Sequence, residues 1–295
     1  MRVCAIDVGT NTVMSVVADV RDGRLTVVED EERFARLGQG VDASGRLAPE
    51  AIDRVLDRLA AAQATAERLG AERVVIGATS ASRDAANVGE LRGRVRDDLG
   101  LDYRVISGEE EAEASFRGAL ALLPDVDAAL VVDVGGGSTE VALGTRAEGV
   151  MRRQSVDVGS VRLTERRFSE RPPSDGAVEA AQADAEAAYA AVGFERGGVP
   201  LVATGSVGRL VARLVGATDR VSAAALREWR DRLLALTPDE ALAISPDVLA
   251  GREDVAAAAL LLLDAVLARF GADAYVPTTG GLRHGLALAE ADRAG

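Results

Sequence analysis

Ala128-Ala-Leu-Val-Val-Asp-Val-Gly-Gly-Gly-Ser-Thr-Glu140 is the stretch whose reading decides the fold. An apolar run ends on a carboxylate, three glycines follow, and hydroxyls lead into a second strand-like run at about 139–143. That order predicts a buried strand, a tight turn and a strand returning beside the first. The phrase occurs a second time near the start, where Val3-Cys-Ala-Ile6 runs into Asp7-Val-Gly-Thr-Asn-Thr12. Glycines let backbone N–H groups approach a phosphate closely, hydroxyls add donors, and a leading aspartate can hold Mg²⁺ or a water. Two copies predict two halves of similar fold facing each other across a cleft, with a phosphorylated compound between them.

A plain Gly-rich hairpin is the competing reading of the second turn. It leaves Asp7 and Asp133 unexplained, because each closes a buried strand, where an unpaired carboxylate is costly. A metal or a hydrogen-bond partner at the strand end is the natural compensation. Glu140 opens the next strand and faces either the cleft or solvent.

Outward from these turns, strands are expected at about 2–7, 13–19 and 24–34, then a helix at 49–69 with Pro49 at its start. A strand at 74–78, a helix at 88–99, a strand at 103–106 and a helix after Ser107 complete the first half. The second half repeats the order, with strands at 128–133, 139–143 and 150–156 and helices at 161–168 and 175–192. A strand at 199–203, helices at 207–214, 223–236 and 248–270, a strand at 274–277 and a helix at 282–291 follow, with a loop over 165–176. Three strands and then alternating helix and strand is the order of a ribonuclease-H-like α/β domain. Apolar periodicity stops near 124–127, which divides the chain into domains over 1–124 and 125–277.

The chain has 295 residues, 48% of them hydrophobic, and a formal net charge of −13. A nucleic-acid or anionic-membrane partner needs a broad basic face, so neither is expected. All 34 basic residues are arginine. That excludes a Walker A loop and a Schiff-base lysine, and leaves phosphate to arginine, N–H, hydroxyl or metal. The single cysteine, Cys4, reads as a small core residue and the single histidine, His284, rules out a histidine-rich metal centre. The greasy run 255–263 is short for a bilayer and the N-terminus has no signal pattern, so a cytoplasmic location is expected.

Other small-residue turns enter helices. Thr79-Ser-Ala-Ser-Arg83-Asp84 follows a strand end, and Ala203-Thr-Gly205-Ser206-Val-Gly208 does so in the second half. Such helix starts take anions through free N–H groups. In Ser107-Gly-Glu-Glu-Glu111, Ser107 and Glu110 have capping-box spacing, which accounts for Glu110 but not for Glu111. Glu111 lies at the edge of the helix face marked by Ala112, Phe116 and Ala119, where a carboxylate could act as a general base.

Together these motifs resemble the exopolyphosphatase and guanosine pentaphosphate phosphohydrolase family of the actin-like ATPase superfamily. The carriers are Asp7–Thr12, Ala78–Asn87, Val105–Ala112, Val132–Glu140, Gly159-Ser-Val-Arg-Leu-Thr-Glu165 and Gly281-Leu-Arg-His-Gly285. The resemblance implies two ribonuclease-H-like domains, with a C-terminal helix at about 278–295 returning to the first. It implies hydrolysis of the terminal phosphate of inorganic polyphosphate, or of guanosine pentaphosphate to the tetraphosphate, with Mg²⁺ or Mn²⁺. Glu111 matches the family's catalytic glutamate, and Asp133 and Glu140 match acids associated with metal and water, with Asp7 expected beside them. Phosphate is expected on Gly9, Thr10, Asn11, Thr12, Arg83, Gly135, Gly136, Gly137, Ser138, Thr139, Gly205 and Ser206, with Arg283 as a second arginine. His284 stands where the family usually has glutamate. A sensor of guanosine penta- or tetraphosphate with little turnover, and an actin-like small-molecule kinase, are the alternatives. A homodimer is left open.

Overall fold

Alternation along the first apolar run explains why its strand lies at the centre of a sheet. In β1 (Arg2–Val8), Cys4, Ile6 and Val8 face one way and Val3 and Ala5 the other, and all five are buried. A strand that is apolar on both faces needs cover on both. On one side it packs with Val13 and Val17 of β2 (Thr12–Arg21) and with the stripe Ile52, Val55 and Leu59 of a long helix. On the other it packs with Val16 and Ala18 of β2 and with Leu282, Leu286 and Ala287 near the C-terminus. Cys4 sits in this interior, and burial pushes its thiol up to about 12.

The computed structural model describes residues 1–294. Contacts divide the chain into two units, Met1–Asp125 with Gly280–Gly295, and Val126–Thr279. In the first unit β1, β2 and β3 (Arg24–Phe34) form an antiparallel meander. There follow α1 (Val41–Ser44), α2 (Pro49–Arg68), β4 (Arg73–Ala78), α3 (Ser80–Asp84), α4 (Val88–Leu99), β5 (Tyr103–Val105) and α5 (Gly108–Ala121). The sheet order is β3-β2-β1-β4-β5, with β4 parallel to both β1 and β5.

The second unit opens with β6 (Ala128–Val134), β7 (Thr139–Thr145) and β8 (Gly149–Val156), again an antiparallel meander. Next come α6 (Ser160–Arg167), α7 (Asp175–Ala190), β9 (Leu201–Ala203), α8 (Gly205–Val215), β10 (Val221–Ser222) and α9 (Ala223–Leu234). The unit ends with α10 (Pro238–Ile244), α11 (Pro246–Leu249), α12 (Ala256–Arg269) and β11 (Ala274–Pro277). Its order is β10-β11-β9-β6-β7-β8, so both sheets carry the ribonuclease-H-like pattern, a meander continued by parallel strands. The last helix, α13 (Leu282–Ala294), belongs to the first unit, where it packs on α5, β1 and β2.

Two expectations need correction. The helix expected over 248–270 is broken: α11 stops at Leu249, Gly251 turns the chain with φ 82°, and α12 starts only at Ala256. The carbonyl of Arg252 accepts the N–H groups of Val255 and Ala256 and so begins the new helix. The loop expected over 165–176 is shorter, because α6 runs to Arg167 and Ser174 caps α7 through the N–H of Ala177. The short elements α1, α3, α10 and β10 carried too few residues for a periodicity to appear.

Helix α12 is buried almost all round, as a helix at the middle of a layer must be. Its one acid, Asp264, is 6% exposed and is neutralised by Arg227 at 3.0 Å and by Arg230. Among the described residues no helix is long and apolar enough to cross a membrane.

Candidate active site

The turn between β1 and β2 begins at Asp7, which is only 6% exposed. Gly9 N–H donates to the carbonyl of Thr12 at 2.9 Å, closing the turn. Its carbonyls are drawn onto the segment after β3: Gly38 N–H bonds Thr10 O at 2.8 Å, and the N–H groups of Ala35 and Arg36 bond Asn11 O at 3.0 and 2.9 Å. The side chains of Thr10, Asn11 and Thr12 make no hydrogen bond with any other described residue. Their polar groups are left for solvent or a ligand.

The second element of this unit's site is the start of α5. Ser107 Oγ accepts from Glu110 N–H at 3.1 Å, and Glu110 Oε2 accepts from Ser107 N–H at 2.9 Å, a complete capping box. That bond to the Ser107 backbone, helped by Arg104, holds the Glu110 carboxyl below its usual range. Glu111 stands next in the chain and points elsewhere. It is 7% exposed, and its Oε2 accepts from Arg83 Nη1 at 2.7 Å. The same Arg83 nitrogen donates to Ile106 O at 3.1 Å. The strand ends of β4 and β5 thus bring α3 and α5 together, and Arg83 fixes the carboxylate of Glu111. Beneath α3, Ser82 Oγ and Tyr103 Oη are hydrogen-bonded at 2.8 Å. Burial pushes the Tyr103 hydroxyl far up, and the Asp7 charge adds to this, so it stays a neutral phenol.

In the second unit the turn between β6 and β7 is closed in the same way, by Gly135 N–H to Ser138 O at 2.9 Å. Its carbonyls are taken by the first turn of α6. Gly135 O accepts from Ser160 N–H at 2.9 Å, and Gly136 O accepts from Val161 and Arg162 N–H at 2.8 and 3.1 Å. Gly137 O accepts from the Arg162 side chain, Nε, at 2.7 Å. A Cβ on Gly159 would run into the backbone of Gly136 and Gly137, so only glycine lets α6 come this close. Asp133 and Glu140 are cross-strand partners in the β6–β7 ladder. Glu140 is 1% exposed, with Oε1 accepting from Ser155 Oγ at 2.7 Å. Gly205, at φ +70°, opens α8 beside them, and a Cβ there would lie 2.7 Å from Asp133 Oδ1.

This geometry has counterparts among known proteins. The model of the Ppx/GppA phosphatase family matches residues 16–294. The chain belongs to this family. It is accordingly a phosphoric anhydride hydrolase. Exopolyphosphatase 2 of Mycobacterium tuberculosis is 40% identical over 277 residues, with 86% of each chain covered. A crystal structure of an exopolyphosphatase-like protein superposes with a TM-score of 0.90 at 30% identity, covering 99% of this chain and 98% of that one. The structure of an exopolyphosphatase from Cytophaga hutchinsonii gives a TM-score of 0.88 at 26% identity, over 99% of this chain and 98% of its own.

The remaining expected site residues divide. In the first unit Gly9, Thr10, Asn11 and Thr12 form one turn, and Arg83 and Glu111 form an ion pair. In the second, Gly135, Gly136, Gly137 and Ser138 form the other turn, while Ser206 lies in the first turn of α8 after Gly205. Thr139 does not belong among the phosphate groups. It is fully buried, and its hydroxyl donates to Val158 O at 2.7 Å and meets Tyr189 Oη at 3.2 Å. Arg283 is not a phosphate arginine either, since it is 2% exposed and bound bidentately to Asp30 at 2.7 Å through Nε and Nη2. It ties α13 to β3. His284 is fully buried beside it, with Nε2 3.9 Å from Asp30 Oδ2.

Several residues in these arrangements escaped sequence reading. Arg162 lies inside a motif already noted, yet nothing in its spacing says that its Nε reaches Gly137. Ser155 and the segment Ala35–Gly38 carry no signal in the sequence at all. Their roles depend on which strand lies beside which.

Proposed function

We propose that this protein releases the terminal phosphate of inorganic polyphosphate with the help of Mg²⁺ or Mn²⁺, and that guanosine pentaphosphate is hydrolysed at the same site. The observation that carries this reading is the buried Glu111, a carboxylate 7% exposed that Arg83 holds at 2.7 Å where the ends of β4 and β5 meet. The neighbouring glutamate is consumed by the helix cap, so two adjacent acids have separate duties.

In this reading Glu111 takes the proton of a water as its oxygen attacks the terminal phosphorus in line. The bridging P–O bond breaks, its electrons stay on the shortened chain, and orthophosphate leaves. Arg83 is a positioning residue for the base. The turn Gly9–Thr12 supplies hydroxyl, amide and N–H donors, and the turn Gly135–Ser138 supplies N–H donors. Positioning and charge neutralisation account for most of the acceleration in such reactions, and the base adds about 10²–10⁴-fold.

The residues present fit a magnesium ion. Asp133 and Glu140 offer two hard oxygen ligands side by side, and Mg²⁺ typically takes one or two carboxylates with water and substrate phosphate completing its shell. Among the described residues no group of three or more His, Cys, Asp or Glu is arranged to hold a metal by itself. Asp133 and Glu140 would hold the ion. Bound there, the ion supplies charge neutralisation on the phosphate oxygens.

The test is phosphate release from purified protein over polyphosphates of defined length and guanosine pentaphosphate, with and without chelator. Release that stops with chelator and returns with Mg²⁺ is expected. No turnover of either compound, together with micromolar binding, would replace this reading with that of a sensor.

A further inference from the structure

Three consecutive carbonyls of the glycine turn face the same way. Gly135 O and Gly136 O are bonded to the N–H groups that open α6, and Gly137 O to the Nε of Arg162. A trans peptide is planar, with its N–H directed opposite to its C=O. The N–H groups of Gly136, Gly137 and Ser138 are therefore turned away from α6. Those of Gly136 and Gly137 meet no acceptor on any described residue, although Gly137 is buried. Adjacent N–H groups without a protein acceptor, turned to one side of a glycine turn, form the kind of concavity that takes an anion.

The start of α6 is thus not itself the phosphate site. Its first N–H groups are spent on the turn's carbonyls, which would otherwise repel phosphate oxygens. The backbone does this for the first two peptides. For the third, the Gly137–Ser138 peptide, a side chain does it.

We infer that Arg162 is a positioning residue for substrate binding: its Nε fixes the Gly137–Ser138 peptide so that the turn presents a row of N–H donors to the phosphate. This rests on the reading of that turn as a phosphate cradle. The role inferred belongs to the donor at Nε. Arg162 is half-buried, and a neutral donor at the same place is expected to hold the peptide as well.

Side-chain chemistry separates the donor from the charge. Glutamine carries its Nε2 at the fourth atom from Cα, where arginine has Nε, but has no charge. Lysine keeps the charge but has a methylene at that position. In Arg162→Gln, KM for polyphosphate is expected to stay within about threefold of wild type. In Arg162→Lys and Arg162→Met it rises about tenfold, with kcat changed less than about threefold, as fits the loss of one well-placed hydrogen bond. Backbone ¹⁵N order parameters at Gly136, Gly137 and Ser138 should fall in the lysine and methionine variants and not in the glutamine one.

A lysine variant close to wild type beside a weak glutamine variant would overturn the inference in favour of direct charge contact. All three variants within twofold would overturn it outright. If wild type neither hydrolyses nor binds polyphosphate, the functional reading fails, and the order parameters alone then decide the positioning claim.

Discussion

The turn after β1 and the turn after β6 are closed by the same hydrogen bond at the same length, Gly9 to Thr12 and Gly135 to Ser138, each 2.9 Å. Both have their carbonyls pulled back. What pulls differs: the main chain of Ala35–Gly38 in the first unit, the first turn of α6 and the Arg162 side chain in the second. The loads differ as well. The first turn lines its rim with Thr10, Asn11 and Thr12, whereas the second is nearly bare backbone. Across the ladder, Asp7 faces Met14 and Asp133 faces Glu140. One architecture has been used twice and its acids divided, with the buried Glu111 in one unit and the cross-strand pair Asp133 and Glu140 in the other.

That division can be broken most sharply through the acids. Glu111→Gln is expected to lower kcat by about a hundredfold or more while leaving the Mg²⁺ concentration for half-maximal activity unchanged, since a base is lost and no ligand. Glu140→Gln should instead shift the Mg²⁺ requirement upward, by about tenfold or more for a lost carboxylate ligand. Metal titrations of steady-state rates on both variants decide it. If the Glu111 variant shows the metal shift, the base and the metal belong to the same unit and the comparison collapses.

A smaller effect is expected from Gly205→Ala. The left-handed φ of +70° alone costs about 1–2 kcal/mol for a residue with a Cβ, and that Cβ would press on Asp133 Oδ1. Chemical denaturation should show the stability loss, and the Mg²⁺ titration should shift in the direction seen for Glu140→Gln. A stability loss with no metal shift would confine Gly205 to the turn and clear Asp133 of a ligand's role.

The smallest expected effect separates the two neighbouring glutamates. Glu110→Ala removes half of the capping box and should cost about 0.5–1 kcal/mol at neutral pH with kcat nearly unchanged. The folded state holds the Glu110 carboxyl below its unfolded value of 4.5, chiefly through the Ser107 N–H. The cap's contribution is therefore complete above that value and fades as pH falls through the lower folded one. The stability gap between wild type and variant should close on acidification below pH 4.5. Its ion pair with Arg104 adds little, since the Glu110 side chain is 48% exposed. A gap that persists at low pH would mean that the carboxylate is not what holds the helix start.

Long periodic segments were legible without coordinates. The meander strand Arg24–Phe34, helix Val88–Leu99 and strand Ala274–Pro277 lie where the pattern of apolar residues places them. Helix α12 was read too long, because a nearly continuous apolar run hides a break that depends on Gly251 and on the carbonyl of Arg252. Among site residues, Glu111 was separable from Glu110 because a capping box has fixed spacing. Thr139 and Arg283 were misplaced because a hydroxyl or a guanidinium has the same appearance in a sequence whether it faces a ligand or the interior.

By itself the sequence determined the repeated strand–turn–strand plan, the absence of lysine chemistry and the assignment of Glu110, not Glu111, to the helix cap. These rest on composition, period and local spacing, which are properties of nearby residues. Only the tertiary structure decided that Arg83 holds Glu111, that Ser155 and not solvent meets Glu140, and that Arg162 turns the Gly137 peptide. Each joins residues that are distant along the chain, through strand register and helix approach. Hydrogen-bond geometry at 2.7 Å is set by that packing, which no local pattern encodes.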